Sequence, residues 1–466
     1  MLTQHIELCE AVYYDYAIYC THWLGGGIHT NPGLLSLRME SLIVPGHAGN
    51  QKLCENKMEI SKICENTMGR TILFFLLLVI LAGCGLQRNP IPVEMQPHAD
   101  LLGYDEVRFF GDTTPKHMDR VMQKWAEMSK NNQLPDEVSF LSLSGGGADG
   151  AFGAGFLCGW TARGDRPTFG LVTGISTGAL IAPFAFMGAD YDPFIEMFYT
   201  TFETSDLVQQ RSYVSAISGD SVYSTQPLKD ALKKFLNSEF IAKISVEHRK
   251  GRRLLIGTTN LDAMRPVYWD IGALAQYGTP EADQLIRDVV LASASVPVAF
   301  PPVYFKVKAG GKVYDEMHVD GGVCNQVFSY PPSVHLAEEL DKIGETRKIT
   351  LYVIRNDALI TEGVQVEPYI VGIAARSLAG LIRNQGIGDL YRMYYTAQRD
   401  GIDFKLTFIP PDYNEESDEL FSPVYMSKLF VLGKTMAQST EPWHSAPPST
   451  TVRKGADAIP AEVIIK

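Results

Sequence analysis

The chain has 466 residues, of which 45% are hydrophobic and 20% are charged, and its formal net charge is −12. An acidic chain of this kind does not offer the basic surface that nucleic-acid binding requires, so that class of function is excluded. Charge attraction to anionic lipid is weak for the same reason, and residence at a membrane would depend on an acyl anchor.

The first distinctive segment is an apolar run near the amino end. Residues 72–82 are all apolar, follow the basic Arg70 and overlap the sequence Leu81-Ala-Gly-Cys84. The run is too short to span a bilayer, which takes about 20 residues, but it suits the core of a secretory signal with a small-residue cleavage site. It resembles a bacterial lipoprotein signal peptide, which implies cleavage before Cys84 and a lipid on the Cys84 thiol. A buried core helix is the alternative interpretation.

This signal also predicts where the chain starts and where the protein resides. Such a signal belongs at the start of a chain, so we interpret residues 1–67 as a non-native upstream extension and residues 68–83 as the signal peptide. A genuine cytoplasmic extension is the alternative. Gly85 stands where an aspartate is associated with inner-membrane retention, so the resemblance favours a lipid-anchored protein of the bacterial cell envelope, in the outer membrane if the source is Gram-negative.

The remainder of the chain alternates between strand-like and helix-like segments, which predicts an α/β fold with a mostly parallel sheet and helices on both faces. The predicted strands are residues 138–143, 169–172, 254–258, 349–354 and 404–409, and the predicted helices are residues 115–130, 151–162, 179–187 and, as one or two helices, 371–398. We assign residues 84–135 to a tether and a covering helix, 136–410 to the main domain, 411–437 to a helical segment and 438–466 to a flexible tail.

Two further features of this region bear on a site. Residues 189–237 are irregular and rich in Phe, Tyr and Ser, which suggests a lid or a cap that faces a substrate. Cys158 and Cys324 are the only cysteines after Cys84, so a disulfide framework is excluded and both are predicted to be buried thiols.

A glycine-rich loop and a serine follow the first two predicted strands. Gly145-Gly-Gly147 comes after residues 138–143, and Gly174-Ile-Ser-Thr-Gly178 comes after residues 169–172 and before a helix. Either motif alone is common by chance in a chain with 41 glycines, but a strand before and a helix after are what a nucleophile elbow and its oxyanion loop require. We therefore predict Ser176 as a nucleophile, an elbow of Gly174, Thr177 and Gly178, and an oxyanion hole of Gly145, Gly146 and Gly147.

The glycine loop has other interpretations, namely a tight turn or a phosphate-binding loop. A P-loop is disfavoured because Gly145 to Gly150 lacks the Lys-Ser/Thr ending, and Asp149 would repel phosphate. The spacing of Gly145, Gly147 and Gly150 fits a dinucleotide fingerprint, although the supporting acidic residue of a second strand is missing.

Asp320 is the candidate base for the serine, which is a weak nucleophile unless a group within hydrogen-bond reach takes its proton. It follows the short strand-like run Met317-His-Val319 and precedes Gly321 and Gly322, which let the backbone turn sharply and expose the carboxylate. An Asp-Gly hairpin turn is the alternative for this motif in isolation.

Together the three motifs resemble the patatin-like phospholipases, which pair a Gly-x-Ser-x-Gly serine with the aspartate of an Asp-Gly-Gly or Asp-Gly-Ala motif. The resemblance is strongest over residues 138–325, including Gly257-Thr-Thr-Asn-Leu-Asp262 and Ala292-Ser-Ala-Ser-Val-Pro297. It implies a three-layer α/β/α fold, hydrolysis of a lipid or ester substrate by a Ser-Asp dyad, and no cofactor or metal. Asp149 departs from the family, which often has Arg or Lys at this loop position, and this departure weakens the case for phospholipid more than the case for ester hydrolysis.

Rival mechanisms and functions are also open at the level of sequence. A Ser-Asp-His triad would need His335 or His444, which lie in a helix-like stretch and in the Pro-rich tail. His318 would share a strand face with Asp320 and could tune its pKa, although a structural role is favoured. An acyltransferase would use the same acyl-enzyme, and a scaffold lipoprotein could keep the fold without turnover.

Overall fold

The computed structural model describes residues 88–212, 219–359, 365–366, 368–415, 417 and 419–448. The predicted upstream extension, the signal peptide and Cys84 lie outside these residues, as does the tail beyond residue 448. None of the helices within the described ranges is long and apolar enough to cross a membrane.

One large twisted sheet organises the domain. Five neighbouring strands, in the order β7-β4-β3-β11-β12, are parallel, and further strands extend the β7 side in antiparallel orientation. Strands of the sheet are β1 (Asp100–Leu101), β2 (Arg108–Phe110), β3 (Glu137–Leu143), β4 (Phe169–Gly174), β7 (Arg253–Asn260), β8 (Arg265–Asp270), β9 (Val303–Ala309), β10 (Lys312–Asp320), β11 (Lys348–Ala358) and β12 (Asp403–Ile409), while β5 (Gln209–Gln210) and β6 (Tyr223–Ser224) form a separate hairpin.

The helices lie between these strands, as the alternating sequence predicted. They are α1 (Met118–Lys130), α2 (Gly150–Arg163), α3 (Thr177–Met187), α4 (Asp192–Thr201), α5 (Thr204–Leu207), α6 (Gln226–Phe235), α7 (Ser238–Arg249), α8 (Ile271–Ala275), α9 (Pro280–Ser293), α10 (Leu336–Lys342), α11 (Ile370–Arg399) and α12 (Pro423–Ala437). The segment predicted as one or two helices over residues 371–398 is the single helix α11.

Both faces of the sheet are covered, which confirms the predicted α/β fold. Along β7, Leu254 and Ile256 point into one hydrophobic cluster and Leu255 into another, as side chains of successive strand residues must. The first cluster includes side chains of α2, α3, α9 and α12, and the second includes side chains of α1, α10 and α11. Because both faces are covered, the parallel strands are rich in apolar residues, and this composition made them visible in the sequence.

The antiparallel strands β8, β9 and β10 were largely missed. Only residues 317–319 had been predicted as strand, at the end of β10. In β9 the burial alternates, with Lys306 and Lys308 exposed and Phe305 and Val307 buried. Short alternating strands of this kind give a weaker signal than a continuous apolar run.

The segment predicted as a tether is held on the domain from Arg88 onward. The Arg88 guanidinium donates to both carboxylate oxygens of Asp262, at 2.9 and 2.6 Å, and to Oδ1 of Asp315 at 3.0 Å. A 3-10 helix then spans Val93–His98. These residues of the predicted tether therefore contact the domain through ion pairs with distant strands, which cannot be read from a proline-rich sequence.

The carboxyl-terminal part also belongs to the domain. Helix α12 packs against α2 so closely that a Cβ at Gly155 would overlap the carbonyl oxygen of Phe430. Beyond α12, the Trp443 ring packs edge-to-face on Trp160 with centroids 4.8 Å apart, and His444 exchanges two backbone hydrogen bonds of 2.8 Å with Leu406. The predicted flexible tail therefore begins no earlier than residue 449.

Candidate active site

Ser176 lies at a sharp turn between a strand and a helix. Strand β4 ends at Gly174 and α3 begins at Thr177, and Ser176 between them has φ +54° and ψ −124°. A non-glycine residue rarely adopts this backbone conformation, which costs about 1–3 kcal/mol and persists only where the surroundings enforce it. Here the Ser176 amide donates to Oγ of Ser293 at 3.0 Å, and that hydroxyl donates to the carbonyl oxygen of Gly257 at 2.6 Å.

The flanking glycines of the elbow are required by close backbone contacts. A Cβ at Gly174 would overlap the carbonyl oxygen of Gly178, and a Cβ at Gly178 would overlap the carbonyl oxygen of Leu143. A larger residue at either position would push α3 away from the ends of β3 and β4. The predicted Gly-x-Ser-x-Gly spacing thus has a steric reason in the fold.

Strand β7 brings Asp320 beside Ser176. Gly174 at the end of β4 pairs with Ile256 of β7, and Asp320 at the end of β10 pairs with Thr258, two residues further along β7. The Asp320 amide donates to the carbonyl oxygen of Ser295 at 2.9 Å, which fixes the end of β10. The serine and the aspartate are far apart in the sequence, and this shared neighbour sets their separation.

The Asp320 carboxyl is buried, and in the described part of the chain only one of its two oxygens accepts a hydrogen bond of normal geometry. Its Oδ1 accepts a hydrogen bond of 2.7 Å from the Gly322 amide, whereas Oδ2 is buried without a hydrogen bond of normal geometry. The Ser176 hydroxyl nevertheless lies beside the carboxyl and lowers the pKa of Asp320. Such a contact, short of a full hydrogen bond, is common where the catalytic geometry tightens only around a substrate.

Burial dominates the electrostatics of Asp320. Loss of water around the carboxyl raises its pKa from 3.8 to about 7, while the Ser176 hydroxyl and the Gly322 amide act in the opposite direction. A carboxyl with a pKa near neutrality exchanges a proton readily at the pH of a cell, which is the property that a general base needs.

The glycine loop presents two free amides beside the serine. A Cβ built at Gly145 would lie 3.2 Å from the Ser176 Cβ, so loop and elbow are in contact. The Gly145 amide itself donates to the carbonyl oxygen of Gln326 at 3.0 Å, so it is not available as an oxyanion donor and that part of the prediction is wrong. For the amides of Gly146, Gly147 and Thr177, no acceptor exists within the described part of the chain.

Asn356 at the end of β11 clamps this loop in place. Its side-chain amide donates to the carbonyl oxygen of Ser144 at 2.9 Å, its backbone amide donates to Oγ of Ser144 at 2.8 Å, and its Oδ1 accepts from the Gly153 amide at 3.0 Å. A Cβ at Gly146 would overlap the Asn356 carbonyl oxygen. Nothing in the sequence around Asn356 signalled this contact, because it joins strands that are far apart in the chain.

Asp149, at which this chain departs from the family pattern of the glycine loop, lies near a tyrosine and an arginine. The Tyr425 hydroxyl donates to Asp149 at 2.6 Å, and burial raises the pKa of Asp149 to about 6 although Tyr425 and Arg355 lower it. Arg355 is only 2% exposed; its Nη2 donates to Asp357 at 2.7 Å, while Nε and Nη1 are buried without partners. A cation therefore lies near the glycine loop, although it comes from β11 and not from the loop.

The histidines take no part in this arrangement. His318 is fully buried and is bonded through Nδ1 to Thr258 Oγ1 at 2.9 Å and through Nε2 to Glu316 at 3.2 Å, which agrees with the structural role favoured for it. His335 is half exposed beside Glu338, and the His444 ring stacks on Phe408. No contact between these histidines and Ser176 or Asp320 is present in the described residues.

An apolar shell lies along α3, the helix that directly follows Ser176. Side chains of α3, α4 and α6 line it, namely Leu180, Ile181, Phe184, Phe194, Ile195, Phe198, Tyr199, Ala231, Leu232, Phe235 and Leu236. Eight of its eleven side chains belong to residues 189–237, the segment predicted as a lid or cap. A larger cavity of about 950 Å³ lies under α1 near the amino ends of β3 and β4. Neither Ser176 nor Asp320 lines this cavity, so it has no part in the candidate chemistry despite its size.

The remaining predicted residues are placed as follows. A Cβ at Gly321 would lie 2.5 Å from the Gly257 carbonyl oxygen, so the turn after Asp320 needs a glycine. Cys158 is buried and Cys324 is half-buried, and both are free thiols. Among the residues that the structure describes, no three His, Cys, Asp or Glu side chains are grouped as a metal site would require.

Comparison with known proteins finds a family model that matches the region of this site. Residues 141–328 match the sequence model of the patatin-like phospholipases. Patatin group M-1 and Patatin-14 of Solanum tuberosum are each 27% identical over an alignment of 233 positions that covers 44% of this chain and 56% of the relative. The chain thus spans about half the length of the curated relatives it matches. The solved structure of VipD from Legionella pneumophila aligns with 65% of this chain and 67% of VipD, at 13% identity and a TM-score of 0.33.

Proposed function

We propose that the protein is a serine-dependent lipid acyl hydrolase, a carboxylic ester hydrolase in which Ser176 is the nucleophile and Asp320 the base. The observation that carries the proposal is the meeting of a strained serine, a buried carboxyl of raised pKa and a loop with free amides at one edge of the sheet. The match to the patatin-like phospholipases supports hydrolysis of a lipid ester.

In the proposed reaction, Ser176 Oγ attacks the ester carbonyl carbon while Asp320 Oδ2 takes the hydroxyl proton. The amides of Gly146 and Gly147 then donate to the oxyanion, which stabilises the tetrahedral intermediate. Its collapse breaks the ester bond, and Asp320 returns the proton to the departing alcohol. Water attacks the acyl-enzyme with Asp320 again as base, which releases the fatty acid and restores the Ser176 hydroxyl.

The pH dependence of hydrolysis tests the role of Asp320. Only the ionised carboxyl can accept the proton, so kcat/KM for a soluble p-nitrophenyl ester should fall about tenfold for each pH unit below about 7 and level off above it. Asp149 is the other nearby carboxyl of raised pKa, so the Asp149→Asn variant should keep this midpoint. A rate that stays constant from about pH 5 to about pH 8 would contradict the assignment.

The role of the glycine loop in catalysis can be tested by a substitution that adds a single methyl group. Gly146→Ala places a Cβ on the Asn356 carbonyl oxygen, so the loop must shift; we expect unfolding to be easier by about 1–3 kcal/mol and kcat to fall on the order of 10²-fold as an oxyanion donor moves. The matched control is Gly388→Ala in α11, where a Cβ meets no atom within 4 Å. Thermal unfolding and ester hydrolysis of both variants decide the point, and an unchanged kcat in Gly146→Ala would remove this loop from the mechanism.

We further propose that a lipid on Cys84 anchors the mature chain to the bacterial cell envelope. The support is the lipoprotein-like signal at residues 68–84. Metabolic labelling with a fatty-acid analogue should tag the protein, and the Cys84→Ser variant should not be tagged.

A further inference from the structure

The amino half of α11 is exposed although its sequence is mostly apolar. Ile373, Leu378 and Leu381 are 52%, 53% and 69% exposed. In the second half of the same helix, Leu390 and Met393 are buried in the core of the domain. Among the side chains that the structure describes, the apolar residues near the start of this helix are therefore exposed, and those in its second half are part of the core.

The exposed apolar residues share one side of the helix. An α-helix turns about 100° per residue, so Ile373, Leu378 and Leu381 fall within about 140° of arc. Arg376 is also exposed and lies beside this arc. An apolar stripe flanked by arginine is typical of helices that lie in the plane of a lipid surface.

The charge of this helix half is opposite to that of the whole chain. Residues 370–388 contain two arginines, Arg376 and Arg383, and no acidic residue, whereas the chain carries a formal net charge of −12. The general mismatch between an acidic protein and anionic lipid does not apply to this surface. Charge complementarity therefore favours an anionic partner here.

The apolar surface continues to the candidate active site. Gln385 of α11 donates to the carbonyl oxygen of Val323 at 3.3 Å, and Val323, which is 37% exposed, directly follows the Gly321-Gly322 turn after Asp320. A solvent-exposed valine thus borders the turn that follows Asp320.

We infer that Ile373, Leu378, Leu381 and Val323 form a docking face for an anionic lipid bilayer, with Arg376 facing the lipid head groups. The face lies against the bilayer surface and does not cross it. Docking in this orientation brings the Gly321-Gly322 turn, which directly follows Asp320, to the lipid surface, where an ester substrate resides. The inference goes beyond the proposed function, because vesicle binding does not require hydrolysis and is measured without it.

The test is vesicle co-sedimentation of the mature chain, residues 84–466. All proteins carry Cys84→Ser, so that neither an acyl chain nor the apolar run of the predicted signal peptide contributes, and Ser176→Ala, so that no vesicle lipid is consumed. The vesicles are equimolar phosphatidylcholine and phosphatidylglycerol. The double variant Leu378→Gln/Leu381→Gln should bind on the order of tenfold to 100-fold more weakly, since two leucines no longer enter the apolar phase.

The matched control replaces two equally exposed apolar side chains elsewhere, Met264 (69%) and Val431 (60%). Met264→Gln/Val431→Gln should bind vesicles as the parent does. Arg376→Glu should weaken binding to the anionic vesicles and leave binding to pure phosphatidylcholine vesicles unchanged.

Three results would overturn the inference. One is equal vesicle binding by the parent and Leu378→Gln/Leu381→Gln. Another is a parent that does not bind the vesicles, which would mean that another segment of the chain covers the face. The third is a dimer of the parent that Leu378→Gln/Leu381→Gln dissociates without loss of vesicle binding, which would assign the face to a second copy of the chain. With Ser176 restored, retained hydrolysis of a soluble ester by Leu378→Gln/Leu381→Gln separates a failed docking face from a failed active site.

Discussion

Replacing Ser176 by alanine is expected to reduce hydrolysis of soluble p-nitrophenyl esters by about 10⁴-fold or more. The proposed acyl-enzyme forms on Oγ, and without this atom no other described hydroxyl stands beside both Asp320 and the glycine loop. The variant should also lose covalent labelling by a fluorophosphonate, which requires an activated serine. Hydrolysis rates and labelling of purified parent and variant provide the measurement.

The controls for this prediction are His335→Ala and His444→Ala. His335 pairs with Glu338 at the surface and the His444 ring stacks on Phe408, so both variants should keep labelling and nearly full activity. A large loss in either histidine variant would favour a Ser-Asp-His triad. Undiminished activity in Ser176→Ala would end the proposed function.

Replacing Asp320 by asparagine is expected to abolish activity and to stabilise the fold above neutral pH. The amide keeps the size of the carboxyl and can still accept from the Gly322 amide, but it cannot take the Ser176 proton. We expect hydrolysis to fall by about 10³-fold to 10⁴-fold. The stability gain follows from the cost of holding a charge in a buried site.

The sign of this stability effect follows from the pKa of Asp320. Its pKa is about 7 in the folded protein and 3.8 when exposed, so folding favours the protonated carboxyl, and its contribution to stability is lost as pH rises from about 4 to about 7. A difference of about three between the two pKa values corresponds to about 4 kcal/mol as an upper estimate. The variant should therefore gain stability over the parent through this pH range, with a constant difference above about pH 7.

Urea unfolding of parent and variant at several pH values measures this difference. Asp192→Asn is the matched control, since Asp192 is also buried but accepts a hydrogen bond of 2.7 Å from Arg166. Loss of that partner should destabilise the control. A pH-independent difference between Asp320→Asn and the parent would show that burial does not perturb the Asp320 carboxyl.

The sequence by itself determined the parts that depend on neighbouring residues. Segments rich in apolar residues indicated β3, β4, β7, β11 and β12, because strands of a sheet that is covered on both faces need mostly apolar side chains. The elbow at Ser176 was visible because a serine at positive φ between a strand and a helix needs small residues two positions away on each side. The Asp-Gly-Gly turn was visible for a related reason, since Gly321 packs on the backbone of β7.

Only the tertiary structure decided how these parts meet. Asp320 reaches Ser176 because both lie beside β7, on strands of opposite direction. The Gly145 amide is occupied by Gln326, Asn356 fixes the glycine loop, and Arg355, which is ion-paired with Asp357, places a cation near Asp149. Apart from the pair of Arg355 and Asp357, each of these contacts joins residues that are far apart in the chain. Their free energy comes from burial and from pairing across the fold. A single sequence displays only local propensity and spacing, and neither of these indicates such contacts.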